Sequence, residues 1–246
     1  MKKALVLARR EMAGYFFSPL AYVIGAGFLA FSAVVFFYGL RMLGIPAIFA
    51  GGNEASLRPL FEAMALGMIV AAPLLTMRLV SDEYRSGTIE TLMTAPITDT
   101  EVIAGKFLGV MGFYVVLLAC TGLFLALLAA YGEIDVGVAV TGYLGMLLLG
   151  AAYISVGLFT STMTRYQLVA AIVGIGILAV FVTLMYMLVS YAPAPVDYIA
   201  SRLNAMTYFK DFSRGMLDTR GVIYFVSATA LLLFLSVKTL ESKRWR

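Results

Sequence analysis

The chain contains no histidine and a single cysteine, Cys120, among its 246 residues. Without histidine there is no metalloprotease helix, no His-based catalytic triad and no histidine metal site. One thiol has no disulfide partner within the chain, and Cys120 lies in an apolar run, where a small buried hydrophobe is expected. Charge is scarce as well: 13% of residues are charged against 62% hydrophobic, and the mean hydropathy is +0.95. No phosphate-binding loop is present, because Gly105-Lys106 lacks both the upstream glycine and the following hydroxyl, so nucleotide binding by that route is not expected. No carboxylate or base sits in the middle of an apolar run. That disfavours an ion-coupled carrier and leaves an intramembrane hydrolase or transferase without acid-base machinery.

What the chain does have is hydrocarbon. Charge-free runs longer than about 20 residues recur along it, so an all-α integral membrane protein is expected and a soluble one excluded. Six spans are expected near residues 20–40, 63–77, 107–132, 136–164, 168–191 and 221–237. Residues 63–77 would reach only about 22 Å at the helical rise and include Pro73. Either the helix extends past Glu62 to Pro59, or the span is kinked and lined by neighbours. Ser32, Thr121, Ser155 and Thr183 are expected to bond the preceding helical turn, and the pairs Gly105 with Gly109 and Ala170 with Gly174 permit close helix contact.

Before the first span, Lys2, Lys3, Arg9 and Arg10 share one side of a predicted helix, with Leu5, Ala8, Met12 and Phe16 opposite. Such a basic amphipathic helix lies in a membrane interface, and Arg9 and Arg10 interrupt the apolar core a cleaved signal would need. Between the second and third spans, residues 81–106 hold seven of the 32 charged side chains: Asp82, Glu83, Arg85, Glu90, Asp99, Glu101 and Lys106. Each would cost about 3 kcal/mol at the bilayer midplane, so the whole interval is expected to stand in water. Ile89, Leu92 and Met93 share a face, which predicts a short amphipathic helix entered through Gly87 and ended by Pro96. Thr98 followed by Glu101 predicts a capped second helix running on into the third span. In residues 192–220, Pro193 and Pro195 break the preceding helix, and Ile199, Leu203 and Met206 predict one amphipathic helix beside Asp197 and Arg202. Lys243, Arg244, Trp245 and Arg246 form an interfacial anchor after the last span.

Six spans put both termini on one side. That side, with the 81–106 interval and the Arg165 turn, carries 12 of the 18 Lys and Arg, whereas the acids divide seven and seven. The positive-inside rule therefore places the termini and the interval in the cytoplasm. The chain is treated as one transmembrane domain, 1–246. Its parts are an interfacial helix (1–19), the first two spans (20–80), a cytoplasmic segment (81–106), three further spans (107–191), an outer loop (192–220), and the last span with its tail (221–246).

These residues also carry a family resemblance. The run Met77-Arg78, Asp82-Glu83-Tyr84-Arg85-Ser86-Gly87-Thr88-Ile89-Glu90-Thr91-Leu92, Pro96-Ile97 and Gly105-Lys106-Phe107 resembles the cytoplasmic loop of ABC-2 type exporter permeases. It is most like the subgroup containing the gliding-motility permease and the permease of nitrous-oxide reductase maturation. Ala8-Arg9-Arg10-Glu11 with Ser18-Pro19, Phe212-Ser213-Arg214-Gly215 with Asp218, and the tail from Leu240 are similar to that subgroup's opening, last outer loop and end. The resemblance implies a six-helix half-transporter of the bacterial cytoplasmic membrane that pairs with a second permease, as a homodimer or a heterodimer, and sits on two separate ATPase subunits. Those partners would bind ATP and Mg; this chain would hold no cofactor or metal, have no catalytic residue and meet no nucleic acid. It implies a coupling helix docking through Asp82, Glu83, Arg85, Gly87, Thr88, Ile89, Glu90, Leu92, Met93 and Pro96. The elbow helix would carry Lys2, Lys3, Arg9 and Arg10, and the outer loop Phe209, Phe212, Arg214, Gly215 and Asp218. Many relatives show Glu-Glu-Arg/Lys where this chain has Asp82-Glu83-Tyr84-Arg85. The alternative is a mechanical transmitter that drives an extracytoplasmic accessory protein without moving a solute.

Overall fold

A computed structural model describes residues 2–38, 57–87, 97–131, 135–193 and 196–244. Every regular element among them is a helix: α1 (Lys2–Phe16), α2 (Pro19–Tyr38), α3 (Arg58–Thr76), α4 (Ser81–Ser86), α5 (Asp99–Tyr131), α6 (Val136–Met163), α7 (Gln167–Tyr191), α8 (Val196–Leu203), α9 (Ala205–Ser213) and α10 (Thr219–Arg244). Six are long and apolar enough to cross a membrane, namely α2, α3, α5, α6, α7 and α10. The protein is an all-α, multi-pass integral membrane protein.

Local chemistry sets the helix ends. The Thr98 hydroxyl accepts from the Glu101 amide and the Glu101 carboxylate accepts from the Thr98 amide, both at 3.3 Å, so the predicted capping box starts α5. Asp135 caps α6 through the amides of Gly137 and Val138. Helix α3 begins at Arg58 with Pro59 in its first turn, where a proline needs no amide partner, and continues through Pro73. The Thr76 hydroxyl donates to Ala72 O and Pro73 O behind the proline.

Helix α6 is the axis of the bundle, packed against α3, α5, α7, α9 and α10. It can serve them all because glycines line it: a Cβ on Gly145 would fall 2.7 Å from Cβ of Phe212, and one on Gly157 would fall 3.0 Å from the Pro73 Cα. Gly174 on α7 makes room for the Pro73 ring in the same way, so that pair of helices meets at the proline. Ser32, Thr121 and Ser155 each donate to a carbonyl three or four residues earlier, as expected. The outward faces of α7 and α10 remain apolar and uncovered, with Ile172, Val180 and Leu231 all exposed, which suits lipid and not water.

Two expectations are corrected here. Cys120 is exposed on the outward side of α5 and is not buried, because the face of α5 that packs inward runs through Tyr114, Leu117, Leu118 and Thr121. The single amphipathic helix expected through Ile199, Leu203 and Met206 is two, α8 and α9. Asn204 adopts an extended backbone and its side chain caps α9 by accepting from the Met206 amide at 3.0 Å, and this cap wins over continued helix.

Candidate functional site

The polar interval is held at its roots. Helix α3 stops at Thr76, and α4 starts at Ser81 after a tight turn. The Ser161 hydroxyl, from α6, closes that turn: it accepts from the amides of Val80 and Ser81 and donates to the Met77 carbonyl, each at 3.2 Å. These orphan amides at the start of α4 would otherwise be buried without partners. Asp82 and Glu83 occupy the first turn of α4 and Arg85 the last, which matches the helix dipole at both ends. Gly87 follows with φ at 72°, the left-handed conformation that glycine adopts without strain, and turns the chain away.

The other root is α5, and here one side chain departs from expectation. Lys106 was expected in water with the rest of the interval; its side chain is 2% exposed. Its Nζ donates to Glu83 Oε1 at 2.6 Å and to Glu11 Oε1 at 2.9 Å, joining α4, α5 and α1 through one ammonium. The charge is tolerated because it is doubly paired, which is the condition for burying an ion at all. Glycine again sets the approach: a Cβ on Gly109 would fall 2.6 Å from the Glu11 Cβ, so α1 lies directly on the first turns of α5. The Tyr15 hydroxyl donates to the Leu75 carbonyl at 2.7 Å, fastening α1 to the end of α3. Burial, with Glu11 close by, pushes the Tyr15 phenol well above its ordinary range, so it stays a neutral donor.

Two more ties reach α4. Gln167, at the start of α7, donates a hydrogen bond to Asp82. Lys243, in the last turn of α10, places its ammonium 4.4 Å from the Tyr84 ring centre and donates to the carbonyls of Thr162 and Met163 at 2.8 and 3.1 Å. A cation there satisfies the open C-terminal end of α6. Glu83 Oε2 remains buried with no partner among the described residues.

Of the residues read from the sequence, Asp82 and Glu83 take part in this cluster, while Arg85 and Gly87 lie at the exposed end of α4. Thr88, Ile89, Glu90, Leu92, Met93 and Pro96 lie outside the described residues. Lys2 opens α1, and Lys3, Arg9 and Arg10 are exposed along it, Arg10 near enough to Glu83 to favour its charged form. Phe209 and Phe212 are buried against α6, Arg214 ends α9, Gly215 turns with φ at 88°, and Asp218 accepts from the Arg220 amide. These residues shape the corner between α9 and α10 and do not meet the cluster. Ser161 and Gln167 were not singled out from the sequence, and Glu11 and Lys243 were named only as part of a family string and of the terminal anchor, without a role in this cluster. The only signal was their polarity at the ends of apolar runs.

Residues 30–237 match the family described as ABC-2 family transporter protein. The chain belongs to that family. None of the curated proteins compared with it matches. It is therefore a permease component of an ABC transporter, a membrane subunit and not the catalytic one, and membership implies partnership with an ATPase subunit and with the bilayer. In the permease, the Lys106 cluster ties α4, which precedes residues 88–96, to α5, which follows them, and to α1.

Proposed function

We propose that the chain is the membrane subunit of an ATP-driven exporter of the bacterial cytoplasmic membrane. It belongs to the gliding-motility and nitrous-oxide-reductase-maturation subgroup, works as a pair of copies on two ATPase subunits, and keeps its termini and residues 81–106 in the cytoplasm. Residues 88–96 form the docking segment. ATP and Mg act on the ATPase, whose closure around nucleotide displaces that segment.

The observation that supports this reading is Lys106, buried between Glu83 and Glu11. A docking loop that only tethered a partner would need no rigid root. This one has α4 fixed to α7 by Asp82 and Gln167 and to the end of α10 by Lys243 over Tyr84, and it has the start of α5 fixed to α1. Force applied at 88–96 enters through Gly87 on one side and Thr98 on the other and tilts α5 together with α1. Helix α5 continues unbroken from Asp99 to Tyr131, so the tilt crosses the bilayer without a hinge. Ile89, Leu92 and Met93 fill the apolar part of the ATPase cleft, and Glu90 and Arg85 set its register by charge.

Glu90→Arg tests the docking. It is expected to abolish co-purification of the ATPase and ATP-dependent activity while the permease still inserts; unchanged assembly and turnover would remove the role. Orientation is read separately from a cysteine at Thr94 in a Cys120→Ala background, which is needed because Cys120 is itself exposed. Labelling from the cell exterior would overturn the topology and with it the mechanism.

A further inference from the structure

A cavity of about 640 Å³ lies at the end of α3 opposite the Lys106 cluster, where the first turns of α3 meet the last turns of α7 and the corner between α8 and α9. Its walls are apolar where Leu66, Val182 and Met206 line it, and two opposite charges, Glu62 and Lys210, line it as well. Glu62 is half-buried, yet among the described residues it makes neither a hydrogen bond nor an ion pair. Lys210 does not pair with it, although both face the same space. A half-buried carboxylate beside apolar walls gains from a cation that completes it, and the exposed Lys210 ammonium, held apart from it, is free to meet an anion at the same mouth.

The volume is that of a small-molecule site and too small for a whole lipid. Three features have to be satisfied together: an acid, a base separated from it, and an apolar floor. We propose that this cavity binds the headgroup of a zwitterionic phospholipid, its ammonium on Glu62, its phosphate on Lys210, and the start of its chains against Leu66, Val182 and Met206. A lipid fits better than a soluble zwitterion, because the floor offers nothing to a molecule without chains. The cap at Asn204 makes the site, since by ending α8 it turns α9 so that Met206 and Lys210 reach the cavity.

The test uses the full-length permease in a non-ionic detergent, with no ATPase or nucleotide, so its outcome is independent of the export reading. Phosphatidylethanolamine and phosphatidylglycerol are added in turn and the retained lipid is counted by native mass spectrometry. Wild-type protein is expected to retain phosphatidylethanolamine about tenfold better, the scale of one charge-assisted hydrogen bond. Glu62→Gln is expected to abolish that preference, and Lys210→Met to weaken both lipids. Equal retention of the two lipids by wild type, or an unchanged preference in Glu62→Gln, would overturn the proposal. Should Glu62→Gln fail to fold, Lys210→Met at an exposed position decides, since unaltered retention there also overturns it. Displacement of the lipid by free phosphoethanolamine would refute the role of the apolar floor.

Discussion

Replacing Lys106 with Met removes the ammonium but keeps a flexible stem of similar length. In the parent, one buried cation serves Glu83 at 2.6 Å and Glu11 at 2.9 Å. Removing one member of a buried ion pair costs about 3–5 kcal/mol, because the charge left behind is neither solvated nor paired. Glu11 and Glu83 are 24% and 22% exposed, so water reaches each of them in part, and the lower end, about 3 kcal/mol, applies. The loss is therefore set by the two carboxylates and not by the lysine. It follows that Lys106→Met combined with Glu11→Gln and Glu83→Gln recovers most of the stability, as neutral replacements of buried ion clusters do. Reversible unfolding in mixed micelles measures both variants. A Lys106→Met protein within about 0.5 kcal/mol of the parent, or a triple variant no more stable than the single, would refute the idea that this cluster is a closed charge network. If the ties transmit force, the triple variant also folds and binds the ATPase yet loses ATP-dependent activity.

Other consequences follow from the same geometry. Gly109→Leu overpacks the contact between α1 and α5, and a loss of about 1–3 kcal/mol is expected, with faster proteolysis of α1 as the local readout. The Tyr15 phenol is raised in the folded state, so its contribution is fully present below the unfolded value near 10.0 and is lost as pH rises above it. Tyr15→Phe should therefore be less stable by about 1 kcal/mol at neutral pH and lose less stability than the parent above pH 10, as read by unfolding at several pH values.

The fold was legible because the bilayer imposes a single rule on each apolar run. Without water, backbone groups must be satisfied within the segment, so length and hydropathy alone imply helices, and the Thr98–Glu101 and Pro59 signals mark ends that α5 and α3 reproduce. The division of the 192–220 stretch was not legible at the same level. Ile199, Leu203 and Met206 have a helical period, but period says nothing about a break that an asparagine makes by capping, and Asn204 reads equally well as a polar residue on a continuous helix.

The site was harder to see for a physical reason that Lys106 makes plain. A lone lysine among Asp99, Glu101 and Gly105 scores as polar and exposed, and a transfer energy charged to one residue at a time places it in water. That cost is cancelled only by partners 23 and 95 residues away, Glu83 and Glu11, which no local window contains. The hint lay in the neighbours: Gly105, Gly109 and Gly112 recur along the face that α1 covers, and glycine on a membrane helix marks where another backbone comes close. A charge one residue from such a stripe is carried into the contact along with it, so it must be paired across it. Glu11, the carboxylate within α1, was the natural candidate. Reading small residues and charges together, instead of as separate tallies, would have located the root of the 88–96 segment from the sequence.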